Sequence, residues 1–184
     1  MASRIPDQAR MHVILSEPEI AGNTGAIGRT CVALGAKLWL VRPLGFQMTD
    51  RHIKRAGLDY WPHLDFEVVD HLDEVATVLG RDRLWSFSTK AEAVYTSASF
   101  SVGDGLVFGP ESRGLSVAWL SERPDRSVRI PIRPEARSLN LSTSVAIGLA
   151  EAVRRSGGRA FGQVQAPRLE GTGPIPSHPV EADG

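Results

Sequence analysis

Between Ser138 and Ser144 the chain reads Ser-Leu-Asn-Leu-Ser-Thr-Ser, a stretch dense in hydroxyl and amide groups. It lies between a short apolar run, Val128 to Ile132, and a segment in which Leu141, Val145, Leu149 and Val153 recur every fourth residue. Polar groups wedged between two buried elements cost free energy unless they are hydrogen-bonded. Either Asn140 or Ser142 caps the helix that follows, or the cluster lines a ligand loop; spacing alone leaves both open. Two further stretches have similar chemistry. Asn23-Thr24-Gly25 is followed one helical turn later by Arg29, and Leu106-Val107-Phe108 runs into Gly109-Pro110-Glu111-Ser112-Arg113-Gly114. Singly, each reads as a capped helix start or a plain turn. Neither the Walker spacing nor GxGxxG is present.

The elements that must position these loops follow from periodicity. Apolar runs at Met11 to Leu15, Leu38 to Val41, Phe66 to Val69, Leu84 to Ser88, Leu106 to Phe108 and Val128 to Ile132 predict strands. Helical spacing predicts helices from Asn23 to Leu34, Arg51 to Ala56 (capped by Asp50), His71 to Leu79, Ser116 to Leu120 and Leu141 to Arg155. Strand and helix alternate with short connections, which predicts an α/β fold, a mostly parallel sheet with helices on both faces. All three loops then fall at the carboxyl ends of strands, where open sheets of this class gather ligands.

Taken in order, the three stretches resemble the motifs of the SPOUT RNA 2′-O-methyltransferases. The matching pieces are Asn23-Thr24-Gly25, Phe108 to Leu115, and Ile130-Pro131-Ile132 with Arg137 to Ser142. Glu17-Pro18-Glu19-Ile20 and Arg55 to Trp61 narrow the resemblance to the short, TrmL-like tRNA enzymes that methylate the wobble nucleotide, position 34. It covers Met11 to Arg155 and implies an α/β knot with a deep C-terminal trefoil, a homodimer, and S-adenosyl-L-methionine held in the knot. It implies that Phe87, Gly109, Ile130, Ser138 and Leu139 line the cofactor pocket. Asn23, Arg29, Glu111 and Ser142 would be catalytic, and Arg113 and Asn140 would face the RNA. Ala150 departs from the pattern, where tyrosine is frequent.

The resemblance also frames the chemistry. Methyl transfer needs the ribose oxygen placed in line with the sulfonium methyl, so positioning supplies much of the rate. None of the histidines, His12, His52, His63, His71 and His178, falls in the three loops. Arginine is a poor base, so the role expected of Arg29 is to bind the adjacent phosphate and lower the pKa of the hydroxyl.

Composition sets the outer limits. The 184 residues are 42% hydrophobic and 23% charged with zero net charge, so one ordinary domain with no global field toward RNA or membrane is expected. RNA contact would fall to local patches, Arg51-Lys54-Arg55 and Arg133-Arg137. The single cysteine, Cys31, excludes an internal disulfide and a cysteine-rich zinc site, fits a cytoplasmic location, and reads as core filler. No metal and no membrane partner is expected. Residues 1–10 are expected to be mobile, 11–157 to form the domain, and the Pro- and Gly-rich 158–184 to be a disordered tail. A non-catalytic RNA-binding protein on the same fold, methylation of another RNA position, and a nucleotide-dependent oxidoreductase stay open; the missing GxGxxG counts against the last.

Overall fold

A computed structural model describes residues 10–48 and 60–157. The predicted Arg51 to Ala56 helix, with Arg51, Lys54 and Arg55, lies outside the described residues, as do 1–9 and the tail from Gly158. Of the first ten residues only Arg10 is described; it is buried, with its guanidinium 2.8 Å from Asp65.

Strands buried on both faces read as unbroken apolar runs. The described residues form seven: His12–Ser16 (β1), Lys37–Val41 (β2), Phe66–Val69 (β3), Leu84–Phe87 (β4), Ala93–Val94 (β5), Gly105–Phe108 (β6) and Ser127–Arg129 (β7). All pair in parallel, in the order β3-β2-β1-β6-β4-β7-β5. The helices are Ala21–Leu34 (α1), Leu72–Leu79 (α2), Val117–Glu122 (α3) and Leu141–Arg155 (α4).

Because side chains alternate along a strand, the sheet feeds two cores. Val13, Leu15, Leu38, Leu40, Leu106 and Phe108 meet Ile27 and Cys31 of α1 and Val145 and Leu149 of α4. On the other face Ile14, Trp39, Val41 and Val107 meet Val75 and Ala76 of α2, with Trp119 and Leu120 of α3 packed at the edge. Helices thus cover both faces. Cys31 is fully buried, and burial pushes its thiol far above the ordinary cysteine range.

Three local differences from the sequence reading have clear causes. α1 begins at Ala21, so Asn23 stands inside its first turn, and Ile20 caps it with backbone alone. β7 stops at Arg129, leaving Ile130-Pro131-Ile132 outside the ladder, as a residue without an N–H requires. The two-residue β5 at the sheet edge has too short a run to carry a period. The remaining boundaries agree within about two residues, the usual scatter of helix and strand ends. β1 and β6 are neighbours, and the chain leads away from them in opposite directions. The crevice at their carboxyl ends is therefore a topological switch point.

Candidate active site

Five loops converge over that crevice. Gly109 to Gly114 follow β6, Ser88-Thr89-Lys90 follow β4, and Ile130 to Asn140 join β7 to α4. Glu17-Pro18-Glu19-Ile20 follow β1, and the segment around Gly45 follows β2 and supports them from outside the cavity. They surround a cavity of about 480 Å³, within the range of roughly 300–1,000 Å³ typical of small-molecule sites. Phe87, Phe108, Ile130, Ile132 and Leu139 supply its apolar wall. The rings of Phe87 and Phe108 stack with centroids 4.7 Å apart. Behind them α4 passes at Gly148, where a Cβ would come within 2.8 Å of Phe87. All five residues assigned to the cofactor pocket, Phe87, Gly109, Ile130, Ser138 and Leu139, line this one cavity.

Gly109 has a second reason to be glycine. A Cβ there would lie 2.3 Å from the Leu115 nitrogen and 2.4 Å from the Gly114 carbonyl carbon. The loop after β6 folds back on its own start, so a side chain at 109 would disrupt the loop before it filled the cavity.

The rim is tied together by one polar chain. Asn140 caps α4, its Oδ1 accepting from the Ser142 amide at 2.9 Å and the Ser142 hydroxyl at 2.6 Å. Its Nδ2 donates to Asn23 Oδ1 at 3.0 Å, and Asn23 Nδ2 donates to Glu111 Oε1 at 3.0 Å. The direction of this chain is fixed at both ends: a backbone N–H can only donate and a carboxylate only accept, so neither amide can be flipped. Three loops far apart in sequence are thereby joined in one run. Asn140 both caps α4 and borders the cavity, so the cap reading of the Ser138 to Ser144 cluster holds and is compatible with the ligand-loop reading.

The loop after β1 grips the loop after β6. Glu17 stands in the left-handed region at φ 52°, a conformation that costs a non-glycine residue about 1 kcal/mol. Its carboxylate pairs with Arg113, which also lies 3.8 Å from Glu19. Glu19 accepts from the Ser112 amide at 2.8 Å and the Ser112 hydroxyl at 2.6 Å, while its own N–H donates to Glu111 Oε2 at 2.8 Å. The hydrogen bonds from Ser112, side chain first, hold the Glu19 carboxyl below its usual range, with help from the charge of Arg113.

Arg29 is placed differently from the other motif residues. It is exposed on α1, its guanidinium 5.0 Å above the Tyr60 ring, and does not line the cavity. Among the described residues no carboxylate pairs with it. Lys90 was not singled out from the sequence. It borders both the main cavity and a neighbouring one of about 410 Å³ that contains Trp119 and Leu72. The rule that selected the other loops, polar residues just past a strand end, applies equally to Ser88-Thr89-Lys90.

Comparison with known proteins places the chain in a family. Residues 10–150 match the SpoU rRNA Methylase family, and the chain belongs to that family. A tRNA (cytidine(34)-2′-O)-methyltransferase of Methylovorus glucosotrophus (strain SIP3-4) is 42% identical over 144 residues, covering 78% of this chain and 94% of that protein. A solved structure described as giving structural insights into the 2-OH methylation of C/U34 on tRNA superposes with a TM-score of 0.74 at 42% identity. It covers 82% of this chain and 99% of that one. The SpoU methyltransferase AviRb from Streptomyces viridochromogenes, in complex with the cofactor AdoMet, gives a TM-score of 0.68 at 26% identity, covering 84% of this chain and 63% of that one. No helix among the described residues is long and apolar enough to cross a membrane.

Proposed function

We propose that this chain transfers the methyl group of S-adenosylmethionine to a ribose 2′-hydroxyl of tRNA, at wobble nucleotide 34, cytidine or uridine, in the anticodon stem-loop. The observation that carries this is the hydrogen-bonded run from Ser142 through Asn140 and Asn23 to Glu111, set beside a cavity with an aromatic wall. The relatives named for this reaction support it at the level of sequence. A homodimer, a cytoplasmic location and the trefoil knot are parts of the same proposal, resting on the family resemblance.

The cavity residues fit the cofactor. Apolar side chains flank space for a flat base, and the backbone at Gly109, Ser138 and Leu139 is available to its polar edge. When bound, S-adenosylmethionine supplies a methyl group on a positive sulfonium, electrophilic without further activation. What remains for the protein is to place and activate the hydroxyl. The Ser142 hydroxyl proton is already committed to Asn140, so its lone pairs are left to accept from the ribose. Asn23 is held by Glu111 and Asn140 and cannot rotate away without breaking both bonds. Arg29, exposed and without a carboxylate partner among the described residues, grips the adjacent phosphate and lowers the hydroxyl pKa by its charge. Arg113 and Asn140 meet the RNA at the rim, and Arg51, Lys54 and Arg55 add phosphate contacts.

Mass spectrometry of nucleosides from tRNA incubated with the full chain and isotopically labelled cofactor tests the proposal. Label is expected on a 2′-O-methylated pyrimidine from the anticodon-loop fragment. Cofactor binding without labelled RNA would leave a non-catalytic RNA-binding protein, and label at another position would move the target.

A further inference from the structure

Glu19 belongs to none of the three motifs, yet it holds the centre of the site from outside. Its main chain and its side chain act on consecutive residues of the opposite loop. The Glu19 N–H fixes one oxygen of Glu111, and its two carboxylate oxygens take the amide and hydroxyl of Ser112. The other Glu111 oxygen carries Asn23. Glu19 is itself clamped from behind. The Glu17 N–H donates to the Val41 carbonyl at 2.9 Å, and the Gly45 N–H donates to the Pro18 carbonyl at 2.9 Å. At Gly45 the two backbones come so close that a Cβ would lie 2.7 Å from Glu19 Cα. The ends of β1 and β2, the Glu19 turn and the Glu111 loop therefore form one braced unit, in which Glu19 holds both Glu111 and Ser112 across the gap between the two loops.

We propose that Glu19 is a positioning residue for methyl transfer: it sets the height and rotation of Glu111, and through Glu111 the orientation of Asn23, Asn140 and Ser142. The proposal rests on the methyltransferase reading of the site. A carboxylate suits the task because Ser112 presents two donors and only an acceptor pair can take both. Like any glutamate it is ionised at neutral pH, and the hydrogen bonds from Ser112 favour that acceptor form further. Glu19 touches neither cofactor nor substrate in this role, so its loss falls on the rate of the chemical step rather than on affinity.

The test uses the full chain with a tRNA transcript and labelled S-adenosylmethionine, comparing the parent with Glu19→Ala and Glu19→Gln. Cofactor Kd is read by calorimetry and folding by thermal melting. Glu19→Ala is expected to lower kcat by about 30- to 100-fold, the scale of an ångström-sized misplacement of catalytic groups. Cofactor Kd and tRNA KM should stay within about threefold of the parent, since uniform binding is untouched. Glu19→Gln keeps the shape and one acceptor oxygen but turns an amide donor toward Ser112, so partial rescue, to a kcat about 3- to 10-fold below the parent, is expected. Parent-like kcat in Glu19→Ala overturns the proposal, as does a loss carried mainly by cofactor Kd. If Glu19→Ala does not fold, Glu19→Gln decides, and parent-like turnover in it is equally fatal. A parent chain that methylates no RNA overturns the functional reading instead, and that result is seen before any variant is compared.

Discussion

The two ends of the same parallel sheet are both polar, but at one end the polar groups are buried and at the other most of them are open to solvent. At the amino ends of the strands every strong group named here is closed on a partner. Arg10 pairs with Asp65, and Lys37 pairs with Glu67 while lying 4.1 Å over the Trp39 ring. Trp39 in turn donates to His12. Asp104, only 4% exposed, accepts from Arg83, from the Trp85 indole and from the Ser101 amide. At the carboxyl ends the polar groups also bond to one another, but the run from Ser142 to Glu111 borders open space. There Lys90 and Arg137 line the cavity with no ion-pair partner among the described residues. A charge whose partner is supplied by the fold stabilises the fold. An exposed cation that borders a cavity without such a partner is free to contact an anionic ligand there.

That contrast can be broken first at the amino ends, where the largest effect is expected. Asp104→Ala removes three acceptor contacts from a buried position and strands two N–H donors. The Arg83 side chain is itself 43% exposed and keeps the Val102 carbonyl, so the loss falls on the Trp85 indole and the Ser101 amide, at about 1–3 kcal/mol for each donor left unsatisfied. Chemical denaturation should register that loss, while the fraction still folded turns over at the parent rate per molecule. A fall in kcat of folded enzyme would mean that the two ends are not separable.

At the carboxyl ends the pattern should invert. Arg29→Ala touches no ion pair among the described residues and should leave the melting temperature nearly unchanged. It should lower methyl transfer by two or more orders of magnitude, about 3 kcal/mol of transition-state stabilisation. Cofactor affinity should hold, because Arg29 is outside the cavity. Arg29→Lys should restore little where a bidentate grip on phosphate is needed. Near-parent turnover in Arg29→Ala would remove Arg29 from the mechanism.

The smallest effect sharpens the comparison. Lys90→Ala deletes a cation that borders two cavities and has no ion-pair partner among the described residues. Its tRNA KM should rise by about 3- to 10-fold, the value of one phosphate contact, with a shallower dependence on salt. Stability should be untouched. Unchanged salt dependence would show that Lys90 meets no phosphate.

Much of this was legible in the sequence because the signals are local. β1, β2, β4 and β6 are buried on both faces and carry continuous apolar runs, while the edge strand β3 shows only a short apolar stretch broken by Glu67; α2 and α4 show their period and stops in the chain itself. Two of the three stretches are loops beyond strand ends and the third is the first turn of α1, and their order in the chain was enough for the family resemblance. Tertiary structure decided what depends on partners remote in sequence. Asn23 reads as a helix cap until the fold sets it 3.0 Å from both Glu111 and Asn140. Gly109 reads as a place for a ligand until Leu115 is found against it. Glu19 and Lys90 carry no periodicity or spacing of their own, and they matter only because β1, β4 and β6 end side by side. A sequence specifies which groups are present and which local element each can join. Which group completes the hydrogen bond of which other is fixed only when parallel strands bring separate loops to one edge, and at that edge the chemistry of this site is assembled.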